Sequence, residues 1–119
     1  MPTGPQMNLQ TTLAEGVLTV RVLEQRLDAA VATAFKDAMR QVMRRGGSVV
    51  RLDLSAVEFM DSSGLGAVVA VLKGIPAGRR LELLHLTPNV ARVFRLTRMD
   101  TVFTINQTPP PGASGPEGG

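Results

Sequence analysis

Residues 52–66 read LDLSAVEFMDSSGLG, and residues 67–74 continue as AVVAVLKG. An apolar run passes through a short loop into paired serines and spaced glycines, then returns to an apolar run. Val49, Val50, Leu52 and Leu54 form the first run, apolar on both faces as a central strand buried by its neighbours would be. AVVAVLKG predicts a helix that stops at Gly74 and Pro76. Strand, tight hand-over and helix make one step of an α/β fold, and the rest of the chain is read outward from it.

Upstream, Val31, Phe35, Met39, Val42 and Met43 recur at helical spacing, with Ala34 and Ala38 beside them. Asp28 is the expected N-cap of that helix, and Gly46-Gly47 its stop. Before it, Met7–Ala14 and Val17–Leu23 flank Glu15-Gly16, the pattern of a hairpin. Downstream, Leu81, Leu83, Leu84 and Leu86 predict a fourth strand. Thr87 is placed to cap a third helix with Pro88 in its first turn, and Val90, Val93, Phe94 and Leu96 are its expected buried face. Thr101–Ile105 predicts a last short strand. The order is β-β-α-β-α-β-α-β, which requires right-handed crossovers and some parallel pairing. The expected fold class is a single α/β domain, a mixed sheet with helices packed on it, over residues 6–106. Residues 107–119, QTPPPGASGPEGG, hold no large apolar side chain and predict a disordered Pro/Gly-rich tail. There is no internal repeat.

Composition removes several function classes. The 119 residues suit one small domain, and 44% of them are apolar, enough for a core. No window approaches the roughly 18 consecutive apolar residues of a membrane span, and MPTGPQMNLQ lacks the pattern of a secretory signal. The chain has no Cys, so disulfides, thiolate zinc sites and thiol catalysis are absent, and a cytoplasmic setting is expected. The net charge is only +3, with arginines spread along the chain, and the four Phe, the only aromatics, all lie in apolar patterns. A nucleic-acid surface usually pairs a basic stripe with stacking aromatics, so none is expected here.

DSSGLG admits several chemistries. A nucleophile elbow, G-x-S-x-G, fails: with Ser62 as nucleophile Gly64 fits but Met60 does not, and around Ser63 neither Asp61 nor Leu65 is glycine. The single His, His85, lies in an apolar strand pattern, far from the arrangement a serine hydrolase needs. A dinucleotide fingerprint finds Gly64 and Gly66 but then Val69, and no GxxxxGK[ST] motif exists. A capping role suits Ser62, with Asp61 complementing the helix dipole and Gly64 permitting close packing. A phosphorylation switch suits Ser62 as well. A phosphate adds about −1.5 to −2 charges, and a helix N-terminus tolerates that anion. A partner pressed against the same helix end would not, so modification would act on binding and spare the fold.

LDLSAVEFMDSSGLGAVV resembles the signature of the STAS domain as it occurs in bacterial anti-sigma factor antagonists. Asp53-Leu54-Ser55 and Phe59 to Gly66 match that pattern. Leu27-Asp28 resembles the family's L-D pair before the first helix, and Val93-Phe94-Arg95-Leu96-Thr97 through Val102-Phe103 its last helix and strand. The resemblance implies a phosphoacceptor at Ser62. It further implies a partner-binding surface at Asp28, Asp61, Ser62, Ser63, Gly64, Leu65 and Gly66. The implied partner is an anti-sigma factor with a GHKL-type serine kinase domain, which the unphosphorylated protein binds and which phosphorylation releases. A PP2C-type phosphatase would reverse the modification. The protein would have no catalysis, cofactor, metal, nucleic-acid or membrane contact of its own, and would be a monomer or weak dimer. One departure bears on partner choice: many members carry G-E-L-D or G-D-L-D where this chain has Gln25-Arg26-Leu27-Asp28. Two other roles use the same domain, a scaffold of large signalling assemblies and the small STAS subunit of a lipid ABC transporter, both constitutive interaction proteins.

Several side chains carry a plainer reading as well. Ser63 suits a second capping hydroxyl, Gly64 and Gly66 tight turn geometry or close approach of a partner, and Met60 either core or an exposed contact. Arg92, Arg95 and Arg98 recur every three residues and are expected to share one helix face.

Overall fold

Glu15 and Gly16 both take positive φ, 54° and 78°. This two-residue turn folds β1 (Leu9–Ala14) antiparallel onto β2 (Val17–Val22), in register from Leu9 opposite Val22 to Ala14 opposite Val17. Positive φ at both central positions matches the right-handed twist of the flanking strands. The computed structural model describes residues 7–106, so the expected tail at 107–119 lies outside the described residues.

After the hairpin the chain alternates. Helix α1 (Ala32–Met43) leads to β4 (Val49–Asp53), α2 (Ser62–Lys73) to β6 (Arg80–Leu84), and α3 (Pro88–Leu96) to β7 (Thr104–Asn106). The spatial order is β1-β2-β4-β6-β7, and every pairing after the first is parallel. Each crossover therefore steps the same way across the sheet. Right-handed connections then put all three helices on one face. The expected mixed sheet with helices packed on it is thus present, with β4 at its centre.

Burial follows that geometry. Leu18, Val20, Val22, Val50, Leu52, Leu81 and Leu83 point under the helices and are buried with Phe35, Met39, Val68, Val90 and Phe94. The opposite face is polar: Thr12, Thr19, Arg51 and Glu82 lie in one row across four strands. Glu82 is buried there and accepts from Arg51 Nε at 3.2 Å and Arg80 Nε at 3.0 Å. The central strand is therefore apolar on one face only, because all crossovers share the other side. A run of apolar letters with Arg51 inside it had suggested both.

Other boundaries move for local reasons. Two strands too short to leave a periodic signal, β3 (Arg26–Leu27) and β5 (Phe59–Met60), pair in parallel apart from the main sheet. Asp28 does not cap α1; the N-cap is Val31, and Asp28 instead turns its own loop by accepting from the Ala30 N–H at 3.1 Å. α3 ends at Leu96, which is 75% exposed rather than part of the buried face. Arg98 thus falls outside the helix that carries Arg92 and Arg95, taking φ 63° before a 3-10 turn at Met99–Thr101. That turn occupies the start of the expected last strand. His85 lies one residue beyond β6 at φ 58°, not inside the strand.

One arginine closes the end of the sheet where the parallel strands begin. Arg79 donates to the carbonyls of Gly47 (2.7 Å), Gly46 (2.8 Å) and Met43 (3.0 Å). Those carbonyls lie at and just beyond the C-terminus of α1, where free C=O groups gather partial negative charge.

Candidate functional site

The site lies at the opposite end, where the parallel strands finish and α2 begins. Four backbone ties fix the segment that delivers Ser62. The N–H groups of Glu58 and Phe59 both donate to the Gln25 carbonyl, at 2.8 and 3.1 Å. On the other side, Thr87 Oγ1 donates to the Val57 carbonyl at 2.6 Å and Asn89 Nδ2 to that of Glu58 at 3.3 Å. Thr87 does stand at the N-cap position of α3 with Pro88 next, but its hydroxyl is spent on this neighbouring loop and makes no cap bond.

Asp61 is the N-cap of α2. Its Oδ1 accepts from the Gly64 N–H at 2.9 Å and its Oδ2 from the Ala29 N–H at 3.3 Å. One carboxylate therefore caps the helix and ties it to the β3–α1 loop. Ser62 is not the cap: it occupies the first helical position, with its side chain exposed, and Ser63 is exposed beside it. Among the described residues the backbone N–H groups of Ser62 and Ser63 have no acceptor, as the first turn of a helix leaves them. The helix end thus offers an exposed hydroxyl and two unsatisfied donors, with one carboxylate already committed.

The two glycines of the stretch differ. Both lie inside α2 without positive φ, so neither serves turn geometry. A Cβ on Gly64 would sit 1.9 Å from the Leu27 carbonyl oxygen and 3.2 Å from Met60 Cγ. Gly64 is what lets α2 rest directly on β3. Among the described residues a Cβ on Gly66 would meet nothing within 4 Å, and the residue is exposed. Leu65 and Met60 are buried and belong to the core.

The family model described as "Mlab, STAS domain" matches residues 7–105. The chain belongs to the STAS domain family. Within it, this STAS protein is similar to the anti-sigma-B factor antagonist of Listeria monocytogenes, 32% identical over 80 residues, which are 66% of this chain and 70% of that protein. A solved anti-sigma factor antagonist from Mycobacterium paratuberculosis is 26% identical over 87% of each chain, with a TM-score of 0.77. The Bacillus cell fate determinant SpoIIAA in its phosphorylated form is alike in fold, with a TM-score of 0.60 and 18% identity over 85% of this chain and 91% of that one. The protein is a member of the anti-sigma factor antagonist family, whose members are regulators rather than enzymes.

The STAS domain brings the expected surface residues together: Asp61, Ser62, Ser63 and Gly66 on the first turns of α2, and Asp28 on the loop tied to Asp61. Leu65 and Gly64 lie beneath that surface. Reading the sequence missed the clamp at Arg26. Its guanidinium carbon stands 4.3 Å from the centroid of the Phe59 ring, and its Nε donates to Asp28 Oδ2 at 3.1 Å. Phe59, read as an apolar-pattern residue, is 41% exposed under that cation. The β3–β5 pairing that places Arg26 opposite Phe59 involves residues 33 apart, and no local pattern announces it. No described helix is long and apolar enough to cross a membrane.

Proposed function

We propose that this protein is a cytoplasmic phospho-switch: unphosphorylated, it binds an anti-sigma factor that carries a GHKL-type serine kinase domain and so frees the sigma factor. In the reverse step the kinase transfers the γ-phosphoryl group of ATP to Ser62. A bond forms between Ser62 Oγ and phosphorus, the β–γ anhydride bond breaks, ADP leaves, and the hydroxyl proton passes to a base of the kinase. A PP2C-type phosphatase hydrolyses the ester and restores the binding form. The protein acts as substrate and ligand, as a monomer or weak dimer, with no reaction or cofactor of its own.

The observation that carries this reading is the position of Ser62, exposed in the first turn of α2 on a segment pinned from both sides. A phosphate there is favoured by the helix dipole and by the free N–H groups of Ser62 and Ser63. Asp61, already bound to Gly64 and Ala29, need not move. The fold therefore survives the modification. A docked protein meets a hydrated dianion beside the Asp61 carboxylate, and a penalty of about 3 kcal/mol lowers affinity more than a hundredfold. The similarity to anti-sigma factor antagonists supports the choice of partner, and the existence of a phosphorylated SpoIIAA of the same fold supports the chemistry.

The test is a pull-down from lysate of the source organism with wild type, Ser62→Ala and Ser62→Asp as baits. The expected result is a GHKL-type kinase retained by wild type and Ser62→Ala and lost with Ser62→Asp. With ATP, the retained kinase should add about 80 Da, one phosphoryl group, to wild type and nothing to Ser62→Ala. A partner held equally by all three baits, with no phosphate on Ser62 by intact mass, would leave Ser62 a helix residue and the protein a constitutive scaffold or transporter subunit.

A further inference from the structure

We propose that Arg26 is the specificity contact of the docking surface: its guanidinium receives a carboxylate of the partner protein, with Phe59 and Leu23 as the apolar contacts around it. This rests on the phospho-switch reading and names the chemistry the partner must present.

Two contacts hold Arg26. Its Nε is bonded to Asp28, and its guanidinium carbon lies over the Phe59 ring. Yet the side chain remains 63% exposed. Among the described residues, Nη1 and Nη2 donate to no acceptor. Glu24, two residues before it, is engaged elsewhere, accepting from Asn8 N at 3.1 Å and Asn8 Nδ2 at 2.9 Å. Asp28 is also occupied, since its Oδ1 accepts from Ala30. What remains is a planar pair of donors, Nη1 and Nη2, on a largely exposed side chain, the shape that matches a carboxylate through two parallel hydrogen bonds.

Stability does not account for this arrangement. An exposed ion pair and an exposed cation–π contact contribute little, and fixing an arginine side chain costs rotamer freedom of similar size. The clamp instead lowers the entropy that a partner would otherwise lose in ordering the guanidinium, which is how preorganisation raises affinity. Its position fits that role. β5 carries Phe59 straight into Asp61 and Ser62, and Arg26 pairs with Phe59 in register. Phe59, 41% exposed, lies under the guanidinium, and Leu23, 45% exposed, lines the same open cavity as Arg26. Large exposed apolar side chains around one oriented charge are the composition of an interface centre, where arginine and aromatic residues dominate the energy.

The experiment uses the kinase captured by wild type in the pull-down, purified and titrated calorimetrically against full-length wild type, Arg26→Glu, Arg26→Gln and Arg26→Lys. Expected affinity losses are about 30-fold or more for Arg26→Glu, which sets like charges against each other, about tenfold for Arg26→Gln, which removes the charge, and about fivefold for Arg26→Lys, which keeps the charge but loses the planar fork. Arg26→Gln should also flatten the dependence of affinity on salt, which a merely structural residue would not do. Melting temperatures of Arg26→Gln and Arg26→Lys should stay within about 2 °C of wild type. If Arg26→Glu does not fold, Arg26→Gln decides. Binding within twofold of wild type with an unchanged salt slope, while Ser62→Asp still releases the kinase, overturns this inference alone. No kinase captured by wild type overturns the phospho-switch reading and this inference with it.

Discussion

Two arginines stand at opposite ends of the same sheet, and they are used in opposite ways. Arg79, where the parallel strands begin, turns inward and gives both edges of its guanidinium to backbone carbonyls of Met43, Gly46 and Gly47. Arg26, where the strands finish, is fixed by one nitrogen and one ring and keeps its other donors facing out. Ser62 and Ser63 are exposed on the same side as Arg26. Parallel sheets generally place their functional groups at the carboxyl ends of the strands, and this small domain divides its labour in that way. One end closes α1 against the sheet; the other holds polar groups still without satisfying them. The division can be broken from either side.

The largest effect is expected where the outward end meets its support. Gly64→Ala puts a methyl group 1.9 Å from a backbone oxygen of β3. No side-chain rotation relieves that contact, so α2 must lift from Leu27 and pull Asp61 away from Ala29. The expected cost is about 3 kcal/mol or more, read as a lower urea midpoint, with binding lost as a consequence. A stability within about 0.5 kcal/mol of wild type would mean that α2 does not rest on β3. Next comes the closed end. Arg79→Ala removes a guanidinium that serves carbonyls of the α1 terminus, at an expected cost of about 2 kcal/mol. Partner affinity should not change, since no docking residue lies there. A change in affinity with stability intact would erase the distinction between the two ends.

How far these roles could be read from the sequence depends on the range of the signal. Helix α1 and the strands carry their own period in Phe35, Met39, Val50 and Leu52, and the Glu15-Gly16 turn states its own geometry. The expected helix–strand order therefore needs only two extra short strands and a 3-10 turn to become the observed one. Sequence could not give Arg51 and Glu82 an address, because the empty face of the sheet follows from the handedness of all the crossovers together. Nor could it distinguish Gly64 from Gly66: both sit in DSSGLG, and only the passage of Leu27 beneath one of them separates their roles. The candidate site was legible as a segment but not as a surface. Asp61 illustrates the difference. Its place before a helix suggests dipole complementation. Its bond to Ala29 comes from the β3–β5 pairing, which leaves no periodic trace.

Asp61 supports the outward end at smaller amplitude. Asp61→Ala should destabilise by about 1 kcal/mol through the lost cap. Asp61→Asn keeps an acceptor for Gly64 and should recover most of that stability. It also removes the negative charge beside Ser62, so a phosphate on Ser62 should repel the partner less in Asp61→Asn than in wild type. The measurement is the ratio of partner affinities for unphosphorylated and phosphorylated forms in each background. An equal ratio would assign Asp61 to the fold alone.

The smallest effect on stability discriminates best between support and contact. Gly66 is a helix residue with open space where a side chain would be. Glycine in a helix interior costs about 0.5 to 1 kcal/mol relative to alanine through the freedom it has in the unfolded chain. Among the described residues nothing offsets that cost, in contrast to Gly64. Gly66→Ala should therefore raise the urea midpoint by about that amount. If α2 is the face on which the partner rests, the added methyl group should weaken the complex while the fold gains. Opposite signs for stability and affinity would locate the reason for this glycine outside the molecule. A variant that gains stability and binds as tightly as wild type would move the docking face away from this turn of α2 and toward the Arg26 clamp.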